Sequence, residues 1–167
     1  METRPTTDKV KEGMFSIIQF DIEGRRVLDL FAGTGQLGIE ALSRGAAECV
    51  FVDHRTDAVE LIRENVKLCG LEENARVRRG DALAYLRSGE KFDLVFLDPP
   101  YASDLLDQAL EAITGFDICR PHGIIMAESG VDHVLPPVQP PYRLYREYRY
   151  GKIKLTVYHR GGNEDEA

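Results

Sequence analysis

Short apolar runs alternate along the chain with segments in which apolar residues recur at helical spacing. The apolar runs predict five strands, at 26–31, 48–53, 75–81, 92–98 and 123–129. The helical spacing predicts five helices, at about 8–20 and at 36–44, 57–70, 82–88 and 105–113. Strands that alternate with amphipathic helices build a parallel sheet covered on both faces. We therefore expect an α/β fold.

The pattern changes after the proline-rich segment 136–141. Residues 142–150 and 152–160 alternate with period two around Gly151, which is typical of a β-hairpin. The predicted architecture is Rossmann-like, with a mostly parallel seven-stranded sheet, helices on both faces and a C-terminal antiparallel hairpin. We assign 1–160 to a single domain that begins with an N-terminal segment and helix, 1–22, and we expect 161–167 to be a flexible acidic tail.

Composition and charge limit the possible function classes. The chain has 167 residues, 43% of them apolar and 29% charged, with a net charge of −7, which disfavours a general nucleic-acid binder. No apolar run approaches the ~20 residues that span a bilayer, and the start METRPTTDKV contains no apolar signal segment. We expect a cytoplasmic monomer that does not contact membranes.

The cysteines and histidines are scattered along the chain. Cys49, Cys69 and Cys119 are odd in number and include no Cys-x-x-Cys pair, so we interpret them as reduced thiols. Cys69 is expected on the apolar face of the helix 57–70. The four histidines are also far apart in sequence, so we predict neither a disulfide framework nor a metal site.

A candidate binding site follows the first predicted strand. Gly33, Gly35 and Gly38 form a G-x-G-x-x-G motif, and Asp53 lies twenty residues beyond Gly33 at the end of the second strand. In Rossmann-like sheets ligands bind beyond the carboxyl ends of the strands, where an acidic residue can accept hydrogen bonds from ribose hydroxyls. The motif alone fits NAD enzymes and methyltransferases. Asp29 favours S-adenosylmethionine, because its charge would repel a pyrophosphate and attract an ammonium group.

A second candidate site is the tetrapeptide Asp98-Pro99-Pro100-Tyr101, which follows the fourth predicted strand on the same edge of the sheet. Neither proline has an N–H group, so no strand or helix continues through the segment. The Asp98 carboxylate and the Pro99 carbonyl can accept both N–H groups of a planar exocyclic amine and direct its lone pair at a sulfonium methyl group. Tyr101 can stack on the base. Such positioning can supply roughly 7–11 kcal/mol of a reaction barrier.

Positive charge is concentrated in the predicted hairpin, where basic and aromatic residues are interleaved. The residues concerned are Arg143, Arg146, Arg149, Lys152 and Lys154 with Tyr142, Tyr145, Tyr148 and Tyr150. This combination suits contacts with RNA phosphates and bases. The alternative is a solvated edge hairpin whose charges prevent aggregation.

The sequence resembles the bacterial small-subunit ribosomal RNA guanine-N2 methyltransferases of the RsmD type. The matching segments are TRPTTDKVKEGMF, VLDLFAGTGQLGIEALSRGA, DPPY and YRYGKIKLTVY, in order over nearly the whole chain. The resemblance implies a class I methyltransferase fold, S-adenosylmethionine as cofactor, and a guanine of 16S ribosomal RNA, in the small subunit or an assembly particle, as acceptor. Such proteins usually carry a basic hairpin before RPTTD, and this sequence begins almost at that segment.

The resemblance also implies roles for individual residues. Asp98, Pro99, Pro100 and Tyr101 would form the catalytic segment. Tyr101 would contact the RNA base, and the chemistry of the hairpin adds Arg146, Arg149 and Lys152 as expected RNA contacts. Residues that would bind the cofactor are Arg4, Thr6, Asp29, Phe31, Ala32, Gly33, Gly35, Asp53, Asp81 and Ala82. Among these, Asp29 would lie at the methionine end, Asp53 at the ribose and Asp81 at the adenine amine, while the 1–22 segment would cover the cofactor.

Three alternatives stay open at the level of the sequence. The tetrapeptide also occurs in DNA adenine-N6 and protein-glutamine methyltransferases. The glycine motif with Asp53 also fits an NAD-dependent oxidoreductase, although no hydride-transfer residues are recognisable and the tetrapeptide would have no role. A non-catalytic RNA-binding module would use the hairpin alone and would bind RNA independently of cofactor and of Asp98.

Overall fold

The computed structural model describes residues 8–100 and 104–162. The strands are β1 (Arg26–Leu30), β2 (Glu48–Asp53), β3 (Ala75–Arg79), β4 (Phe92–Leu97), β5 (Cys119–Gly130), β6 (Tyr142–Tyr150) and β7 (Ile153–Arg160). The α-helices are α1 (Asp8–Ile17), α2 (Gln36–Ser43), α3 (Thr56–Leu68), α4 (Ala82–Tyr85) and α5 (Leu105–Gly115). Arg4, Thr6, Tyr101 and the acidic tail from Asn163 onward lie outside the described residues.

The strands form one seven-stranded sheet in the order β3-β2-β1-β4-β5-β7-β6. β1 to β5 pair in parallel, while β7 runs antiparallel to both β5 and β6. The predicted α/β fold with its C-terminal hairpin is therefore confirmed. The strand order reverses between β1 and β4, and ligands of such sheets bind beyond the carboxyl ends of the strands at this switch point.

Helices cover both faces of the sheet. One face packs against α1, α2 and α3, and its core includes Phe15, Phe51 and Phe96. The other face packs against α4 and α5, and its core includes Leu97 and Leu110. Because both faces are covered, the central strands are apolar at nearly every position, which explains why they appeared as runs rather than as an alternating pattern.

Several predicted boundaries differ from the structure. The helix predicted over 57–70 ends at Leu68, and Cys69 is exposed, so its expected burial was wrong. Gly70 adopts a φ of 69°, a left-handed conformation that commonly terminates helices. The helix predicted over 8–20 ends at Ile17, and the following Phe20 is exposed. The helix predicted over 82–88 is the short α4 followed by a 3-10 turn, Leu86–Ser88.

An ion pair between buried Arg160 and half-buried Asp117 connects the hairpin to the start of β5. Arg160 donates from Nε and Nη2 to the two carboxylate oxygens of Asp117, at 2.8 and 2.9 Å. The Tyr142 hydroxyl donates to Asp117 Oδ1 at 2.7 Å and accepts from the Cys119 N–H at 3.1 Å. The Arg160 hydrogen bond lowers the pKa of Asp117 below its usual range, partial burial opposes this, and the Tyr142 hydrogen bond adds to it.

This network predicts a pH-dependent effect of Asp117→Asn on stability. A carboxyl group whose pKa is lower in the folded than in the unfolded state stabilises the fold above its unfolded pKa, about 3.9. That stabilisation disappears as the pH falls through the folded pKa. We expect urea denaturation to find Asp117→Asn less stable than wild type at pH 7, with a smaller difference at pH 3. Asp132→Asn, which changes an exposed carboxylate, is the control. Equal stability of Asp117→Asn and wild type at pH 7 would contradict the assigned role.

Candidate functional site

The predicted site residues meet at the carboxyl edge of the sheet. Leu30, the last residue of β1, pairs with Val52 of β2 on one side and with Leu97 of β4 on the other. The segments that follow these three strands therefore leave the sheet side by side. This arrangement brings the glycine segment between Asp53, which ends β2, and Asp98, which follows β4.

The segment after β1 has a constrained backbone. Phe31 has a φ of 64°, which is unusual for a bulky residue and is a form of strain that clusters at functional sites. Gly33 and Gly35 also have positive φ angles, 61° and 81°. A Cβ atom on Gly33 would meet no other atom within 4 Å, so glycine there leaves the backbone open to a ligand. The sequence predicted the glycines, but it contained no indication of the Phe31 conformation.

Gly38 has a different role from the two glycines before it. It lies within α2, and a Cβ atom there would overlap the Phe51 ring and lie 2.6 Å from Cys49 Sγ. The third glycine of the motif therefore allows α2 to pack closely against β2, as in other Rossmann-like folds. Its contribution is to position the helix rather than to touch a ligand.

Asp53 is held rigidly at the end of β2. The Gly33 N–H donates to its Oδ2 at 2.9 Å, and the Arg55 N–H donates to its Oδ1 at 3.0 Å. The side chain is 11% exposed. Each carboxylate oxygen has two acceptor positions, so Asp53 can fix the glycine segment and also accept hydrogen bonds from two hydroxyl groups of a ligand.

Asp29 is a deeply buried carboxylate of the site, at 2% exposure. Its Oδ2 accepts the Gly38 N–H at 3.0 Å. The N-cap of α2 is Gly35, which has no side chain to accept a hydrogen bond. Asp29, which lies in β1, supplies an acceptor to the first turn of the helix instead. Sequence reasoning missed this role because the two groups are brought together only by the tertiary fold.

The protonation of Asp29 is coupled to the other acids. Burial raises the pKa of Asp29 well above its usual range, the Gly38 hydrogen bond opposes this rise, and the charges of Asp98 and Asp53 add to it. A cation bound beside Asp29 would favour its ionised form. The site is therefore suited to a positively charged ligand.

Asp81 and Ala82 begin α4 beside Asp53. Gly80 donates its N–H to the Asp53 carbonyl oxygen at 3.0 Å, which places the start of α4 next to the end of β2. Asp81 is exposed, and its Oδ2 accepts the Ala84 N–H at 2.8 Å as an N-cap. An acidic residue immediately before a short helical pattern is a recognised cap signal, so this structural role could have been predicted from the sequence.

Asp98 lies beside a carboxylate that sequence reasoning missed. Leu97, the residue before it, pairs with Ala127 of β5, and the next residue of β5 is Glu128. Glu128 is only 1% exposed. An acid within the otherwise apolar run GIIMAES was a signal that could have identified it. Asp98 is half-buried, Pro99 is buried and Pro100 is exposed, while Tyr101 lies outside the described residues.

The basic residues of the hairpin do not form one continuous surface. The β6–β7 register shifts between Leu144 and Arg146, so that Arg146 is opposite Val157 and Arg149 is opposite Lys154. Directly opposed residues of an antiparallel pair project to the same side of a sheet. Val157 belongs to the core under α1, so Arg146 lies on the α1 side and Arg149 on the α5 side. Their proposed contacts with RNA stay predictions.

The two sides of the hairpin also differ in ion pairing. Arg149 Nη2 lies 3.9 Å from Glu147 Oε1, and Lys154 Nζ lies 3.8 Å from Glu147 Oε2. Lys154 Nζ also donates to the His133 carbonyl oxygen at 2.7 Å. Lys152 is exposed and lies between β6 and β7 at the carboxyl edge. Positive charge on the α5 side is thus partly neutralised by Glu147.

Residues 8–100 and 104–162 contain no candidate metal site, no disulfide and no helix that could span a membrane. No group of three or more His, Cys, Asp or Glu side chains there could hold a metal ion. Cys49 and Cys119 are buried free thiols, and Cys69 is an exposed one. No helix in the described part of the chain combines the length and apolar character needed to cross a bilayer.

Comparison with known proteins identifies the family. The family model described as Conserved hypothetical protein 95 matches residues 1–159. The chain belongs to this family, the RsmD family. The resemblance inferred from the sequence motifs is therefore confirmed.

Individual RsmD-family relatives cover almost all of the chain. Ribosomal RNA small subunit methyltransferase D of Escherichia coli is 35% identical over 159 residues, which covers 94% of this chain and 79% of the relative. The Haemophilus influenzae protein of the same name is 32% identical over 160 residues, with 93% and 82% covered. The solved structure of Escherichia coli yhhF superposes with a TM-score of 0.87 at 31% identity, covering 95% of this chain and 88% of that one.

Proposed function

We propose that the protein transfers a methyl group from S-adenosylmethionine to the exocyclic N2 amine of a guanine in 16S ribosomal RNA. The observation that carries the proposal is the placement of Asp98-Pro99-Pro100 on the same edge of the sheet as the glycine segment and Asp53, at the switch point between β1 and β4. Membership of the RsmD family supports the substrate class. We also propose that the enzyme acts in the cytoplasm as a monomer on a small-subunit particle.

The residues present fit S-adenosylmethionine. When bound, this cofactor supplies an electrophilic methyl group on a sulfonium ion, together with an ammonium group and no phosphates. Asp29, Gly33 and Gly35 would bind the methionine end, with Phe31 and Ala32 beside them. Further residues proposed to contact the cofactor are Asp53 at the ribose, Asp81 and Ala82 at the adenine, and Arg4 and Thr6 from the N-terminal segment. The cluster of acids favours this cation over a dinucleotide pyrophosphate.

The Asp98-Pro99 segment would orient the acceptor. The lone pair of an exocyclic amine is delocalised into the ring, which makes the nitrogen a poor nucleophile. The Asp98 carboxylate and the Pro99 carbonyl accept its two N–H groups and hold the nitrogen with its lone pair directed at the methyl group. As the N–C bond forms and the methyl group leaves the sulfonium sulfur, the nitrogen would lose one proton to Asp98, the carboxylate that accepts its hydrogen bond. Tyr101 would stack on the base.

Replacing Asp29 by asparagine should separate stability from cofactor binding. A buried acid with a raised pKa contributes stability that is present below its unfolded pKa and is lost as the pH rises through its folded pKa. The introduced amide would avoid the buried charge at pH 7 and keep an oxygen for the Gly38 N–H. We expect thermal denaturation without ligand to give a higher Tm for Asp29→Asn than for wild type at pH 7. Calorimetry should find that Asp29→Asn binds S-adenosylhomocysteine more weakly than wild type does. An unchanged affinity would mean that the role of Asp29 is limited to capping α2.

The substrate class is tested with tritiated S-adenosylmethionine. The purified protein is incubated separately with small ribosomal subunits, partly assembled particles, naked ribosomal RNA, DNA and protein extract. We expect label in RNA, mainly in the particles, because a protein of net charge −7 gains little affinity for naked RNA through phosphate contacts. Label in DNA or in protein would replace the proposed acceptor while sparing the cofactor site.

The oxidoreductase alternative is tested through ligand binding. We expect S-adenosylhomocysteine to raise the Tm of the protein and NADH to leave it unchanged. A shift with NADH alone would end the methyltransferase proposal.

A further inference from the structure

An aromatic pair, exposed Tyr145 and half-buried His159, lies on the α1 side of the hairpin. The rings of Tyr145 and His159 stack with centroids 4.1 Å apart and planes 14° from parallel. The register shift in β6 lies at Tyr145 and allows the consecutive residues Tyr145 and Arg146 to project to the same side. Tyr145 is 45% exposed, so part of its ring is accessible, while His159 covers one face.

Arg146 extends this aromatic pair with a positive charge. Its guanidinium carbon lies 5.4 Å from the Tyr145 ring centroid and 5.9 Å from that of Tyr148. Within the described part of the chain Arg146 forms no ion pair, whereas Arg149 on the other side is paired with Glu147. The α1 side of the hairpin therefore presents a flat aromatic surface next to a cation that no described carboxylate neutralises.

This combination is the chemistry that binds unpaired nucleotides. Bases that are not in a duplex stack on aromatic side chains and on arginine guanidinium groups, while paired bases have no free face to offer. An edge strand that only needed protection against aggregation would require charge, but it would not require an exposed ring stacked on another.

The surface lies three strands from the Asp98 segment and nearer the amino edge of the sheet. β6 is three strands from β4, roughly 14 Å at about 4.8 Å per strand. Arg146 is opposite Val157, whose partner Met126 pairs with Phe96, two residues before Asp98. His159 is opposite Ile124, which pairs with Leu94, four residues before Asp98. At roughly 3.3 Å per residue along a strand, the surface is roughly 16–20 Å from Asp98. A base held there would belong to a nucleotide a few positions from the one at Asp98.

We propose that Tyr145, His159 and Arg146 form a stacking platform for an unpaired base of the substrate RNA, a few nucleotides from the methylated guanine. The platform rests on the proposed function and specifies how the same substrate is held. The platform requires the acceptor guanine to lie near a single-stranded stretch of RNA. RNA recognition by the hairpin would then occur on its α1 side.

The test compares platform variants with matched controls elsewhere on the surface. Tyr145→Leu removes a ring and Arg146→Gln removes a charge. Phe116→Leu changes another exposed aromatic residue, 49% exposed at the end of α5, and Arg87→Gln removes another exposed charge. Tyr145→Phe keeps the ring and loses only the hydroxyl. For each variant kcat and KM are measured with small-subunit particles, and the Kd of S-adenosylhomocysteine is measured by calorimetry.

We expect Tyr145→Leu to raise KM about 5–150-fold, the range equivalent to one lost base stack, with little change in kcat or cofactor Kd. Arg146→Gln should raise KM several-fold. Tyr145→Phe, Phe116→Leu and Arg87→Gln should retain the wild-type KM. A wild-type KM for Tyr145→Leu would overturn the proposal, and so would an equal rise for Arg87→Gln and Arg146→Gln, which would indicate a general effect of charge.

A binding experiment tests the stacking platform independently of methyl transfer. Fluorescence anisotropy compares a labelled single-stranded RNA oligonucleotide with the same sequence as a duplex, in the presence of S-adenosylhomocysteine. We expect wild type to bind the single strand more tightly and Tyr145→Leu to lose that preference. If wild type methylates no guanine but the preference depends on Tyr145, the platform stands and the proposed reaction fails. If Tyr145→Leu impairs only methylation of protein, the surface binds protein and the RNA platform is wrong.

Discussion

Asp98→Ala is expected to lower kcat for methyl transfer roughly 100- to 1,000-fold, the usual effect of removing one group that stabilises a transition state. The carboxylate is needed when the acceptor nitrogen rehybridises and loses its proton, not when the cofactor binds. Loss of its charge also removes one of the causes that raise the pKa of Asp29. The easier ionisation of Asp29 offsets the lost charge of Asp98, so cofactor affinity should be retained.

The measurement is single-turnover methyl transfer to small-subunit particles, with calorimetry for the cofactor. Asp98→Asn should retain more activity than Asp98→Ala, because an amide oxygen can still accept one N–H group. Asp132→Ala, which removes an exposed carboxylate shortly after β5, is the matched control and should behave as wild type. If Asp98→Ala turned over at the wild-type rate, the catalytic role would belong to another residue.

Asp53→Ala is expected to weaken binding of S-adenosylhomocysteine by roughly 10- to 100-fold for each ribose hydrogen bond lost, because hydrogen bonds to a charged group contribute roughly 1.5–3 kcal/mol each. The structure adds a second consequence. The N–H groups of Gly33 and Arg55 would lose their acceptor, so the glycine segment would be held less firmly. A lower Tm should therefore accompany the loss of affinity.

Calorimetry measures the affinity, and thermal denaturation without ligand measures the structural part of the effect. Glu60→Ala, which removes an exposed carboxylate of α3, should change neither quantity. A lower Tm with an unchanged Kd would mean that Asp53 serves the loop conformation alone.

The fold could be predicted from the sequence because its signals are local and repeated. Buried strands such as β4 need apolar residues on both faces, and helices such as α3 need only one apolar stripe, so the two patterns differ. Helix ends were less predictable. At Cys69 the apolar spacing continued past the last helical turn, whereas the backbone conformation of Gly70 ended the helix.

The site could be predicted only where residue chemistry and chain order coincide. The glycine motif, Asp53 and Asp98 lie at strand ends, and parallel strands bring their carboxyl ends to one edge. The capping of α2 by Asp29 joins groups nine residues apart through tertiary packing, which no local pattern records. The division of the hairpin into two sides was also hidden, because YRLYREYRY continues its alternation through the bulge and only pairing with β7 fixes the register.

The proposed acceptor atom is the exocyclic nitrogen of guanine, and nucleoside mass spectrometry identifies the methylated atom. Small-subunit particles are incubated with wild-type protein and S-adenosylmethionine, and the extracted RNA is digested to nucleosides. We expect a gain of N2-methylguanosine that is absent with Asp98→Ala. Methyl groups found on the N6 amine of adenosine, on a ring nitrogen or on ribose, with no gain of N2-methylguanosine, would contradict the proposed acceptor.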